Sequence, residues 1–106
     1  MDKISASHIL IMHKESKDSR STLSKDEAFD LISDIHKKLQ KTKSLFKDLA
    51  SKHSDCSSST YGGSLGEFGK GMMVKEFEDN AFSLNVGDIS EPIETEFGFH
   101  IIKRDE

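Results

Sequence analysis

Apolar and polar positions alternate from Ile4 to Met12, with Ile4, Ala6, His8, Leu10 and Met12 on one side and Ser5, Ser7, Ile9 and Ile11 on the other. A period of two in an isoleucine-rich run predicts a central β-strand. The next twelve residues, 13–24, are polar and serine-rich and read as a long surface loop. The pattern then changes period. Ala28, Leu31, Ile32, Ile35 and Leu39 recur at helical spacing behind Ser24-Lys25-Asp26-Glu27, which fits a capping box. A helix from about Lys25 to Gln40 follows. Ser44 is the expected cap of a second helix reaching His53, with Leu45, Phe46, Leu49 and Ala50 turned inward. Ser57–Tyr61 reads as a turn or short helix. Ser64–Phe68 is predicted as a short strand, and Phe77, Ala81 and Leu84 share a helical face from Glu76 onward. After a turn at 85–88 come a strand from Ile89 to Thr95, kept at an edge by Pro92, and a last strand from Phe99 to Arg104.

At 106 residues the chain holds one core and is expected to be a single domain, 1–106. Charged residues make up 32%, and no apolar run reaches the eighteen or so residues of a membrane span. Neither a membrane segment nor a signal peptide is therefore expected. The single cysteine allows no internal disulfide and suits a reducing compartment, so cytoplasm or nucleus is expected. Net charge is −4, at +2 over residues 1–56 and −6 over 57–106. Lys37, Lys38, Lys41, Lys43 and Lys47 are the one basic run, and it reads as a solvated face; no nucleic-acid partner is expected.

The densest punctuation is at 62–71, where five of ten residues are glycine: Gly62-Gly63-Ser64-Leu65-Gly66-Glu67-Phe68-Gly69-Lys70-Gly71. Glycine permits positive φ and close approach of another chain. With Met73 and Phe77-Glu78-Asp79-Asn80-Ala81-Phe82 behind it, this stretch resembles the parvulin family of peptidyl-prolyl cis/trans isomerases. His8-Ile9-Leu10, Phe46-Lys47-Asp48-Leu49-Ala50, Ser54-Asp55-Cys56-Ser57-Ser58 and Gly98-Phe99-His100-Ile101-Ile102-Lys103-Arg104 extend the resemblance, in order, over nearly the whole chain. It implies an α+β, parvulin-like (FKBP-like) fold, a four-stranded antiparallel sheet flanked by three to four helices. It also implies a monomeric isomerase of X–Pro bonds that needs no cofactor or metal and takes proline-containing peptides and proteins as partners.

The resemblance places Leu65, Phe68, Met73 and Phe77 in a pocket for the proline ring. On spacing alone, such residues read first as core. It joins His8, Cys56, Thr95 and His100 in a polar network beneath that pocket. A lone strand histidine otherwise reads as a hydrogen-bonded core residue, and a lone cysteine as a small buried hydrophobe. Cys56 with His53 or His8 as base would suit nucleophilic chemistry, which leaves a thiol-dependent transferase or protease as an alternative. A non-catalytic proline-peptide binding or chaperone module is another. His53 and Cys56 supply only two of the four ligands a zinc site wants.

One eukaryotic branch of the family prefers phosphorylated Ser or Thr before proline, and Ser54–Ser58 with the long loop resembles that branch. Lys14, Lys17 and Arg20 are the candidates for holding a phosphate. Met12 stands where that branch has a lysine, and Asp18 lies between two of the candidates. The loop reads equally as a phosphate site and as a solvated surface. No WW-type module is expected within the chain.

Overall fold

The computed structural model describes residues 3–17, 19 and 21–106. The alternating run becomes strand β1, Lys3–Ile11, paired antiparallel with β2 (Ser64–Gly69) on one side and β4 (Gly98–Arg104) on the other. Strand β3, Ile93–Thr95, pairs with β4 and completes a four-stranded antiparallel sheet of order β2-β1-β4-β3. Three α-helices lie against it: α1 (Lys25–Lys41), α2 (Phe46–His53) and α3 (Lys75–Ser83).

The period of two in β1 sorts two cores onto opposite sheet faces. Ile9 and Ile11, with Phe99 and Ile101, pack against Ala28, Ile32, Ile35 and Leu39 of α1 and Phe46, Leu49 and Ala50 of α2. Ile4 and Ala6, with Phe68 and Ile102, pack against Phe77 and Ala81 of α3. Helix α1 starts at the expected capping box: Ser24 Oγ accepts from the Glu27 N–H at 3.1 Å, and Glu27 Oε1 accepts from the Ser24 N–H at 2.8 Å. This exchange holds the Glu27 carboxyl below its ordinary pKa.

Two expectations need correction. Ser44 does not cap α2; it sits inside a 3₁₀ turn, Lys43–Leu45, that runs straight into the helix at Phe46. The strand expected from Ile89 to Thr95 is broken. Ile89 makes one isolated bridge to Lys103, and the ladder resumes only at Ile93. Pro92 has no N–H to donate. Ser90 keeps the segment beside β4 instead, its N–H donating to the Ile102 carbonyl at 2.7 Å and its Oγ accepting from the Ile102 N–H at 2.9 Å. Ser57–Tyr61 is a 3₁₀ turn.

Register carries one consequential irregularity. Ala6 faces Gly66 and Ser7 faces Ser64, so Leu65 has no partner. Such a bulge re-aims the extra residue. It brings Leu65 to the α3 face, while Ser64 follows Ser7 to the other.

Candidate active site

Beyond the α3 core the same sheet face opens into a cleft of about 620 Å³. His8, His100 and Cys56 lie along its floor, Leu65, Met73, Val74 and Phe77 form one wall, and Met12, Asp55 and Phe97 form the other. His8, Leu10 and Met12 reach it because they continue the Ile4–Ala6 side of β1.

His8 and His100 are 5% and 4% exposed, and their Nδ1 atoms face each other at 3.1 Å. The rings stack at 5.2 Å between centroids, and Phe77 stands edge-on to both, at 5.5 and 5.4 Å. His100 Nε2 lies 2.7 Å from Thr95 Oγ1, which accepts from the Phe97 N–H at 3.1 Å. Burial, reinforced by His8, pushes the His100 pKa down to about 3, so its ring is neutral at ordinary pH. Two facing Nδ1 atoms share a single proton. With the proton on His100, Thr95 donates to His100 Nε2 and His8 carries its own proton on Nε2. The opposite arrangement runs the chain backwards. His8 Nε2 is buried without a hydrogen-bond partner.

Cys56, half-buried, follows α2, and two carboxylate and hydroxyl contacts tie this turn to β1. Asp55 Oδ2 accepts from the Met12 N–H at 2.8 Å, and Ser54 Oγ accepts from the Leu10 N–H at 3.0 Å. The thiol pKa is drawn down to about 6, first by His8, against the upward push of burial, with Ser58 assisting. Because no hydrogen bond closes on His8 Nε2, the pull of His8 is a polar contact short of a formed bond. Gly63 locks His8 from behind. Its carbonyl accepts from the His8 N–H at 2.9 Å, and at φ +87° any Cβ there would strike the His8 carbonyl oxygen.

The structure thus brings His8, Cys56, His100, Leu65, Met73 and Phe77 together in the cleft, with Thr95 buried behind His100. Phe68 is the exception: it is 2% exposed, packs against Phe77 and Phe82, and does not line the cleft. Leu10, Met72 and Val74 line the cleft and Asp55 anchors its edge, roles the sequence reading passed over. Asp55 stood beside the cysteine that drew attention to that block.

The phosphate candidates separate. Lys17 is at the rim, its Nζ 4.0 Å from Glu96 and 5.8 Å from the centre of the Phe97 ring. Lys14 is exposed and its backbone pairs with Leu23, away from the lining. Arg20 and Asp18 lie outside the described residues. His53 ends α2, where burial, then Lys52 and Lys38, lower its pKa.

The family model described as "Rotamase: PPIC-type PPIASE domain" matches residues 8–106. The chain belongs to this peptidyl-prolyl isomerase family. The peptidyl-prolyl cis-trans isomerase pin1 of Schizosaccharomyces pombe is 48% identical over 108 residues, covering 96% of this chain and 62% of the relative. The Pin1 isomerase of Digitalis lanata is 43% identical over 113 residues, covering 97% of this chain and 96% of the relative. The solved structure of peptidyl-prolyl isomerase ESS1 from Candida albicans superposes with a TM-score of 0.93 at 34% identity, over 97% of this chain and 62% of that one. The chain therefore spans under two thirds of two of these relatives and nearly all of the third. Among the described residues no helix is long and apolar enough to cross a membrane.

Proposed function

We propose that this chain catalyses cis/trans rotation about X–Pro peptide bonds in protein substrates. The observation that carries the reading is an apolar-walled cleft set on a buried, hydrogen-bonded histidine pair, His8 and His100. Rotation breaks no covalent bond; the barrier, about 18–20 kcal/mol, is the loss of amide resonance. A catalyst need only bind the twisted amide better than either planar form.

Leu65, Met73 and Phe77 grip the pyrrolidine ring and hold it still while the carbonyl side turns. At the half-way point the carbonyl is less polarised and the nitrogen regains its lone pair, so a drier, less polar setting favours the twisted form. The His8–His100–Thr95 chain supplies that setting, because burial keeps His100 neutral and the shared proton fixes both rings. Cys56, drawn toward thiolate beside His8, places negative character near the rotating carbonyl. No proton transfer or covalent intermediate is required, and this sets the reading apart from thiol-dependent transfer or proteolysis.

A preference for phosphoserine or phosphothreonine before proline rests on Lys17, the one candidate at the rim among the described residues. Glu96 already faces Lys17, so a phosphate would have to displace it. Exchange NMR on phosphoSer-Pro and Ala-Pro peptides with catalytic protein tests both levels. Faster exchange in either peptide supports the isomerase. A gain confined to the phosphopeptide supports the phosphate role of Lys17, and equal gains remove it. Binding without acceleration in both would leave a non-catalytic proline-peptide module.

A further inference from the structure

On the sheet face opposite the cleft, a groove of about 480 Å³ lies between the start of α2, the 3₁₀ turn at Ser57–Tyr61 and the end of β4. Three lysines line it: Lys43, Lys47 and Lys103. Among the described residues none of them has a carboxylate within salt-bridge distance; the ion pairs found are Lys17–Glu96, Lys25–Glu94 and Lys75–Asp79. Asp105 is the one carboxylate on the lining, and Ser7 Oγ donates to it at 2.7 Å. The groove is a local positive site on a chain of net charge −4.

Two lysines are held there. Gly62, at φ +66°, passes so close to the Lys47 stem that a Cβ would collide with it, so the missing side chain makes room for Lys47 to lie along the groove. Lys103 Nζ sits 5.9 Å from the centre of the Phe46 ring, a cation–π distance. Ordering these flexible stems lowers the entropy a ligand must still remove.

The groove also adjoins the cleft. Ser64 lines the groove and Leu65 lines the cleft: neighbours alternate across edge strand β2, and the bulge sets Leu65 to the cleft side and Ser64 to the groove side. A peptide leaving the cleft over the β2 edge passes from Leu65 to Ser64 and onto the groove, and about five extended residues span roughly 15 Å. We infer that the Lys43–Lys47–Lys103 groove is a second docking site for a carboxylate-rich stretch of the substrate chain, tethering it while a nearby X–Pro bond occupies the cleft. Carboxylates suit the groove better than a nucleic-acid backbone. It holds three point charges, no arginine fork, and a carboxylate of its own, on a protein whose net charge repels long polyanions.

The catalytic readout rests on the proposed isomerase activity; the binding readout does not. Peptides sharing one X–Pro unit are extended, through a five-residue Gly-Ser linker on either side, by six Asp or six Asn. In low salt, one Asp-tailed orientation should show a KM about tenfold below its Asn counterpart at equal kcat. That advantage should shrink as salt shortens the screening length. The triple variant K43Q/K47Q/K103Q should erase it while turning over Asn-tailed peptides normally. Equal KM values, or an advantage that survives the triple variant, overturn the inference. Separately, a proline-free hexa-Asp peptide should shift the amide resonances of Lys43, Lys47, Ser64 and Lys103. If no peptide is turned over, the isomerase reading fails, and these shifts alone decide the groove. Tighter binding of an oligothymidylate at the same amides would overturn the acidic-peptide assignment.

Discussion

The two faces of the sheet are made from alternate residues of the same strands, yet they are built to different ends. On the α1–α2 face, Ile9, Ile11, Ile101, Ile32 and Ile35 are at most 1% exposed and form a hydrocarbon core, with the buried His13 ring tilted against Phe99 at its edge. On the α3 face the apolar packing of Ile4, Ala6, Phe68 and Phe77 gives way, one strand step further, to two buried imidazoles and a thiol. The contrast teaches a division of labour. The aliphatic face supplies stability without restricting chemistry. The other accepts the cost of burying polar groups, met by the Thr95–His100–His8 chain and left unmet at His8 Nε2.

The largest test of that division is Ile32→Ala. A fully buried isoleucine truncated to alanine costs about 3–4 kcal/mol, which should lower Tm by more than about 10 °C in a domain of this size. Turnover per folded molecule, assayed well below the new Tm, should be unchanged. A fall in kcat while circular dichroism shows the variant fully folded would mean that the faces are coupled and the division is wrong.

Acid should attack the other face. The His100 ring takes a proton near pH 6.5 when unfolded but only near pH 3 when folded. Between those values the unfolded state binds more protons, so stability rises with pH and is lost on acidification. The contribution is at most about 1.4 kcal/mol per pH unit. Urea midpoints measured from pH 7 to pH 4 should therefore fall more steeply for the native chain than for His100→Asn, which has no imidazole to protonate. Parallel curves would show that His100 is not the group resisting protonation.

Much of this contrast was legible in the residues. The period of two in Ile4–Met12 already divides the histidine side from the isoleucine side, and the stripe from Ala28 to Leu39 with its capping box marks the helix that covers the latter. What escaped depends on register and on backbone donors. Regular alternation along β2 puts Leu65 and Phe68 on opposite faces; the bulge brings Leu65 round to the cleft, while Phe68 stays buried behind Phe77. Such a slip is set by pairing with β1 and leaves little local trace beyond Gly66, at φ +72°. Ser44 carried the side chain of a cap, but the chain entered α2 through a 3₁₀ turn and used no side-chain cap at all. The break before β3 followed from Pro92, whose missing donor the sequence did announce, although the expected strand ran through it. The partners of His8 lie 92 residues along the chain at His100 and 48 away at Cys56, and the resemblance, more than any local pattern, joined them.

The smallest and sharpest effect concerns the edge between thiol and imidazole. Cys56 is half-exposed, so alkylation by iodoacetamide reads its ionisation directly. The rate should rise with a midpoint near pH 6, well below the ordinary thiol, because His8 is the first cause of the lowering. His8→Gln removes the imidazole and should carry the midpoint back up toward the ordinary range in a variant that circular dichroism shows to be folded. Cys56→Ser keeps a polar atom at the same place without the low-pKa thiol. If the thiolate acts only through its field, turnover of an X–Pro peptide should fall about tenfold, near 1.4 kcal/mol of barrier, and should no longer vary with pH around 6. Complete loss of turnover would instead assign Cys56 a covalent role, and an alkylation midpoint indifferent to His8→Gln would detach the thiol from the histidine pair.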